Sequence, residues 1–203
     1  MPVPRRTAEQ SMHARIYSEF RKIVSELRPS GRVLEIGAIP DASSLLAMPE
    51  LSQATELVGI NLAPASSYKN FAIFSGNANR MPMFPDARFD CVLCNATLEH
   101  DPHFWLTCGE IRRVIKQGGL AIIGVPSYTK SGDLRRPLRR LFGDRLGLGI
   151  LDASLTFREH YGPGDYYRFS EMSCREILLD GFHDVSVRSI MVPPRTISFG
   201  FRT

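Results

Sequence analysis

Several features are scarce in this chain of 203 residues, and each scarcity excludes something. Cysteine occurs only at Cys91, Cys94, Cys108 and Cys174. That is too few for a disulfide framework at this length, so the thiols are expected to be reduced. No apolar run approaches the roughly 18–20 residues that cross a bilayer, and the opening MPVPRRTAEQSMHARIY lacks the apolar core of a signal peptide. Stable membrane insertion is not expected, and the expected location is cytoplasmic. Net charge is only +4, and the stretch KSGDLRRPLRRLFGDR, with six basic and two acidic residues, accounts for it. A neutral domain with one basic element does not describe a nucleic-acid-coating protein. Metal-ligand spacing is also missing. Cys91 and Cys94 lie three apart in FDCVLCN, which reads as a buried strand that would point them to opposite faces. Glu99, His100, Asp101 and His103 match no metal motif, so no metal is expected.

What is present is the composition of a globular protein, 43% hydrophobic and 23% charged. The length suits one α/β domain over residues 1–203. Apolar spacing predicts a helix from about residue 8 to 27, ended by Pro29, Ser30 and Gly31. RVLEIG, ELVGINL, FAIFSGN, FDCVLCN and GLAIIGVP then read as strands, with SSLLAMPEL and HFWLTCGEIRRVIK as helices between them. Apolar strands alternating with helices imply a doubly wound, mostly parallel sheet covered on both faces. Ligands bind such sheets beyond the carboxyl ends of the strands, where strand order reverses. A basic insert from about 127 to 163 interrupts the rhythm, either a solvated amphipathic helix or an element that attracts an anionic partner. SEMSCREILLDGF then reads as a helix capped by Ser170, and HDVSVRSIMV and TISFGFRT as a closing antiparallel strand pair.

VLEIGAIPDASS, LVGINL about 20 residues on, SGNANRMPMFPDARFDCVLCNATLEH and EIRRVIKQGGLAIIGVP together resemble a class I S-adenosylmethionine-dependent methyltransferase. The likeness is to the branch with an LEH stretch after the fourth strand. It covers roughly residues 30 to 126 in order. The fold it implies is Rossmann-like, with seven strands, mostly parallel, and a C-terminal antiparallel pair. The cofactor it implies is S-adenosylmethionine, with S-adenosylhomocysteine as product.

A dinucleotide site needs G-x-G-x-x-G so that backbone can approach a pyrophosphate. GAIPDA has one glycine, which suffices for a cofactor without phosphates if the chain can turn past it at Gly37. By the resemblance, Glu35, Gly37 and Ala38 line the methionine end, with Glu35 orienting the amino group indirectly. Asn61, followed by Leu62, stands where the family usually places an acidic residue for the ribose hydroxyls. Asn77 and Ala78 stand at the adenine, and Asn95 passes beside the sulfonium. Methyl transfer needs alignment, exclusion of water and a base when the acceptor is protonated. His100 and His160 are the candidate bases, each equally readable as a structural histidine. Tyr128, Tyr161, Tyr166 and Arg168 are candidate acceptor contacts, the last three from the stretch HYGPGDYYRFS, which also reads as a loop packed by its tyrosines.

The expected activity is methylation of a small-molecule acceptor, at oxygen rather than nitrogen. The competing readings are a methyltransferase-like fold without activity that serves as a binding or scaffolding partner, motivated by GAIPDA and Asn61, and a nicotinamide-dependent reductase, which the missing glycines disfavour.

Overall fold

The computed structural model describes residues 12–128, 164–191 and 194–203. Helix α1 (Ala14–Leu27) buries Ile16, Phe20, Ile23 and Val24, one stripe at helical spacing. The His13 ring accepts from the Arg15 amide at 3.2 Å to cap its start. Arg28 ends it in the left-handed conformation, with its amide donating to the Val24 carbonyl at 2.8 Å. The stop falls where Pro29 and Gly31 predict it, and residues 8–11 of the expected helix lie outside the described residues.

Eight strands form one sheet: β1 (Gly31–Ile36), β2 (Ala54–Asn61), β3 (Ser66–Tyr68), β4 (Phe71–Ser75), β5 (Phe89–Asn95), β6 (Ile115–Pro126), β7 (Phe182–Met191) and β8 (Pro194–Arg202). Their spatial order is β3-β4-β2-β1-β5-β6-β8-β7. The five strands from β4 to β6 run parallel, and β7 and β8 close the sheet as an antiparallel pair. Seven strands match the sequence reading. The additional one, β3, pairs antiparallel with the edge of β4, setting Tyr68 opposite Phe71 with their rings 5.7 Å apart. Ser66 and Ser67 give it no apolar alternation, so nothing in the pattern marked it.

Helix α1 covers one face, over Val33, Cys91, Leu93, Ile122 and Ile197. Helix α2 (Phe104–Val114) and the short α3 (Glu171–Ser173), which runs on as a π turn to Leu178, cover the other, over Leu34, Val92, Cys94 and Ile123. Cys91 and Cys94 therefore occupy opposite faces, as strand geometry requires. All four cysteines are free and buried, and burial pushes the thiols of Cys108 and Cys174 up to about 12. Ser170 caps α3 as expected, accepting from the Ser173 amide at 3.1 Å.

Helical cover is thinner than the sequence implies. SSLLAMPEL is not a helix but two 3-10 turns, Leu45–Ala47 and Pro49–Leu51. Pro49 holds Met48 extended (ψ 128°) and splits the segment, although Leu45, Leu46, Met48 and Leu51 are all buried. No helix joins β2 to β4 or β4 to β5. One face of the β2–β4 end is consequently open, with Phe74 43% exposed. Residues 76–88 hold their path through Arg113 of α2 instead. Its guanidinium donates to the Phe84 and Met81 carbonyls, both at 2.9 Å, and pairs with Asp86 and Glu110, both at 2.7 Å.

Candidate active site

Strand order reverses between β1 and β5, so the loops after Ile36 and Asn95 border one crevice. Gly37 opens the first loop at φ +82°, and its amide donates to the Ile60 carbonyl at 2.9 Å. A Cβ there would lie 2.3 Å from the Thr97 hydroxyl oxygen, so the glycine is required by conformation and by space alike. Gly59 on β2 makes room from beneath, since its Cβ would come within 2.4 Å of Ala38 Cβ. Beyond Gly37 the loop turns without further left-handed backbone, as no residue from 38 to 53 has positive φ. Asp41 organises that turn, accepting from the amide and hydroxyl of Ser43 at 2.7 and 2.5 Å. One glycine is enough because only one position needs it.

Glu35 and Asn61 brace the loop from below. Glu35 is buried, and its carboxylate accepts from the Ser44 hydroxyl and from the amides of Leu45 and Leu46 at 3.1 and 3.2 Å. Desolvation outweighs these bonds and pushes its pKa up to about 7. Both of its oxygens serve the 44–46 turn, so any influence on a ligand passes through that turn. Asn61 donates from Nδ2 to the Ala38 carbonyl at 2.8 Å and accepts at Oδ1 from the Ala63 amide at 3.0 Å. It latches the Gly37 loop to the end of β2, a role its identity in sequence did not announce. One amide hydrogen and one lone pair are left over for a ligand.

The next loop begins where the Gly76 amide donates to the Asn61 carbonyl at 2.9 Å. Asn77 is exposed there and accepts from the Asn79 amide at 2.9 Å, while Ala78 packs against the core. Leu62, 77% exposed, stands beside this rim. Asn95 departs from the group. Its Oδ1 is buried without a hydrogen-bond partner, and both it and the Phe20 ring of α1 crowd the place where a Cβ on Gly124 would sit, at 2.5 and 2.8 Å. Its side chain lies under α1 rather than with Gly37, Asn61 and Asn77.

Across the crevice, a 3-10 turn (Leu98–His100) follows β5 and is strapped down by residues 164–169. The His100 Nδ1 bonds the Gly164 carbonyl, the Tyr166 amide donates to the Glu99 carbonyl at 2.8 Å, and the Tyr167 hydroxyl donates to the Pro102 carbonyl at 3.0 Å. Arg195 of β8 donates to Glu99 Oε1 at 3.0 Å, a pair with Glu99 fully enclosed. Sequence reasoning missed Arg195 and Gly164, which approach only through folding, and left Glu99 as structural. Arg168, an expected acceptor contact, is instead held by Asp165 in a bidentate pair at 2.5 and 2.6 Å, both side chains largely buried. Tyr128 reaches the Arg168 carbonyl at 3.4 Å, and Tyr166 stays 56% exposed. His160 and Tyr161 lie outside the described residues. Among the described residues no group of three metal-ligating side chains forms, and no helix is long and apolar enough to cross a membrane.

Residues 34–123 match the family profile described as a methyltransferase domain. No curated protein matches the sequence significantly. Among solved structures, the chain is similar to the Burkholderia thailandensis 1,6-didemethyltoxoflavin-N1-methyltransferase with bound S-adenosylhomocysteine, at 16% identity and a TM-score of 0.64, over 92% of this chain and 78% of that one. It is similar also to the magnesium protoporphyrin IX methyltransferase of Synechocystis PCC 6803, at 14% identity and 0.59, over 100% and 90%. A third, an S-adenosylmethionine-dependent methyltransferase from Archaeoglobus fulgidus, aligns at 13% identity and 0.62, over 92% and 93%. The matched segment spans the five parallel strands, from within β1 to within β6, and the fold is the one these solved methyltransferases share.

Proposed function

We propose that the chain methylates a small-molecule acceptor at oxygen, with His100 as the base that takes the acceptor's proton. The observation that carries this reading is the Thr97 hydroxyl donating to the Ile36 carbonyl at 3.3 Å beside Gly37, which joins the cofactor loop to the turn that presents His100 three residues later. When bound, S-adenosylmethionine supplies an electrophilic methyl on a sulfonium, and the protein's task is alignment and exclusion of water. Gly37 and Ala38 would take its methionine end, the remaining hydrogen and lone pair of Asn61 the ribose, and Asn77 with the exposed Leu62 the adenine. Glu35 shapes the loop through Ser44. Tyr128 and Tyr166 are exposed and are proposed acceptor contacts, as is Tyr161 by its sequence alone, and His160 stays a second candidate base on the same ground. The stretch 130–145, six basic residues against two acidic, favours an anionic acceptor, while the neutral remainder argues against nucleic acid. Four reduced thiols fit a cytoplasmic protein. The chain is read as a single domain over residues 1–203.

A second reading has one observation in its favour. Asn61 is already bonded to Ala38 and Ala63, as in a fold that has turned a ribose ligand into a brace and serves as a binding or scaffolding protein. Calorimetric titration with S-adenosylmethionine and S-adenosylhomocysteine decides between the two. Methyl transfer requires binding, weakened about fivefold in Asn61→Ala by the loss of roughly 1 kcal/mol of hydrogen bonding. A folded protein that binds neither ligand at millimolar concentration is the scaffold.

A further inference from the structure

We propose that Glu99 and the Gly164 carbonyl hold His100 as a base with a fixed tautomer, Nε2 being the nitrogen that takes the acceptor's proton. This rests on the methyl-transfer reading above. A carbonyl oxygen can only accept, so the Nδ1 that bonds Gly164 must carry the ring's hydrogen. The neutral imidazole then keeps its lone pair on Nε2. Gly164 suits this bond as a glycine only. It sits at φ +77°, and a Cβ on it would lie 2.4 Å from Tyr166 Cε2. Tyr166 in turn is fastened through its amide to the Glu99 carbonyl at 2.8 Å, so the strap that bonds the ring is itself tied to the turn that carries it.

Glu99 supplies the counter-charge. It is fully buried, its Oε1 stands 4.0 Å from His100 Nε2, and its Oε2 is enclosed without a hydrogen-bond partner. The oxygen nearest Nε2 is the one Arg195 holds, so a cation formed there shares this buried carboxylate with that guanidinium. Among the described residues the other charges around Glu99 are Arg195, paired with its Oε1, and Arg168, paired with Asp165. As the acceptor oxygen bonds to the methyl carbon, the carbon–sulfur pair goes to sulfur and the acceptor's proton goes to Nε2. The resulting imidazolium faces Glu99. Neither Glu99 nor Gly164 touches the acceptor; both are positioning residues.

Long-range proton–nitrogen correlation spectra of nitrogen-15-labelled protein, in mildly alkaline buffer where imidazoles are neutral, read the tautomer directly. The sequence has five histidines, so the His100 signals are assigned by their loss in His100→Ala. The expected result is the Nδ1–H form for His100, reverting in Gly164→Ala to the Nε2–H majority of a free histidine. An Nε2–H form in the wild type, or a Gly164→Ala spectrum unchanged from it, overturns the proposal. Should Gly164→Ala not fold, the wild-type spectrum alone decides. Titration of the same wild-type sample with S-adenosylhomocysteine separates the two readings. Binding with the wrong tautomer removes the assembly and leaves methyl transfer standing. The right tautomer without binding removes methyl transfer, and the role of base with it.

Discussion

The two banks of the crevice, proposed above to take the cofactor and the acceptor, are built by different forces. On the cofactor bank, the Gly37 loop, Asn61 and Asn77 are tied by backbone groups and neutral amides, over separations from 2 residues, as between Asn61 and Ala63, to the 23 between Ala38 and Asn61. On the acceptor bank, Glu99 meets Arg195 across 96 residues and His100 meets Gly164 across 64, with Asp165 and Arg168 buried beside them. The first bank is a consequence of strand register and steric fit. The second is an electrostatic assembly that joins the turn after β5 to residues from the last third of the chain. Local bonds keep their geometry when one partner is lost, whereas a buried charge without its partner does not.

The largest effect should therefore come from the acceptor bank. Glu99→Ala leaves the Arg195 guanidinium, 13% exposed, facing a cavity without its carboxylate. The expected cost is about 3 kcal/mol of folding stability, read from the shift in urea midpoint at constant slope. A loss below about 1 kcal/mol would mean that the pair is as weakly coupled as a surface one, and the contrast between the banks would fall.

The cofactor bank holds one exception, the buried carboxyl of Glu35. Its folded pKa, near 7, lies above that of an unfolded glutamate, so the folded state binds the proton more tightly. Its contribution to stability is complete below about pH 4 and is lost as pH rises through about 7. Glu35→Gln cannot ionise, and its amide can still accept from Leu45 or Leu46 and donate to Ser44. Thermal unfolding of both proteins across this range should show the wild type losing ground to Glu35→Gln between about pH 4 and 7, by about 3 kcal/mol in all. A difference that does not change with pH would show that solvent reaches the carboxyl and that the bank contains no buried charge.

What the sequence disclosed follows the same division. RVLEIG, ELVGINL and FDCVLCN announce themselves by apolar continuity, and Gly37 by its place after a strand. These signals are local, and the strands fell where they pointed. SSLLAMPEL misled because its apolar residues are buried without helical periodicity, Pro49 having split the segment. Glu99, Arg195 and Gly164 carry no local signal at all. A glutamate and an arginine 96 positions apart become a pair only when β8 is laid beside β6, and a glycine in a loop becomes a tautomer clamp only when that loop crosses the turn after β5. Arg168 shows what a near neighbour adds. The sequence offers it as an acceptor contact, and in the fold Asp165, three residues away, pairs with its guanidinium.

The smallest effect is the most discriminating on the cofactor bank. If Asn61 were chiefly a ribose ligand, Asn61→Asp should tighten S-adenosylhomocysteine binding, because a carboxylate accepts hydroxyl hydrogens with charge assistance. The latch geometry requires the opposite. Asn61 Nδ2 donates to the Ala38 carbonyl at 2.8 Å, and an aspartate there would set a carboxylate oxygen against that carbonyl oxygen. The acceptor role toward the Ala63 amide survives the change, so the fold should hold. The Gly37 loop, losing its tie to β2, should bind the ligand less well by about 1 kcal/mol, or roughly fivefold. Calorimetry on the aspartate and alanine variants side by side gives the sign: both weaker than wild type makes Asn61 a brace that the ligand shares, while a tighter aspartate variant makes the Ala38 bond incidental and the ribose its true partner.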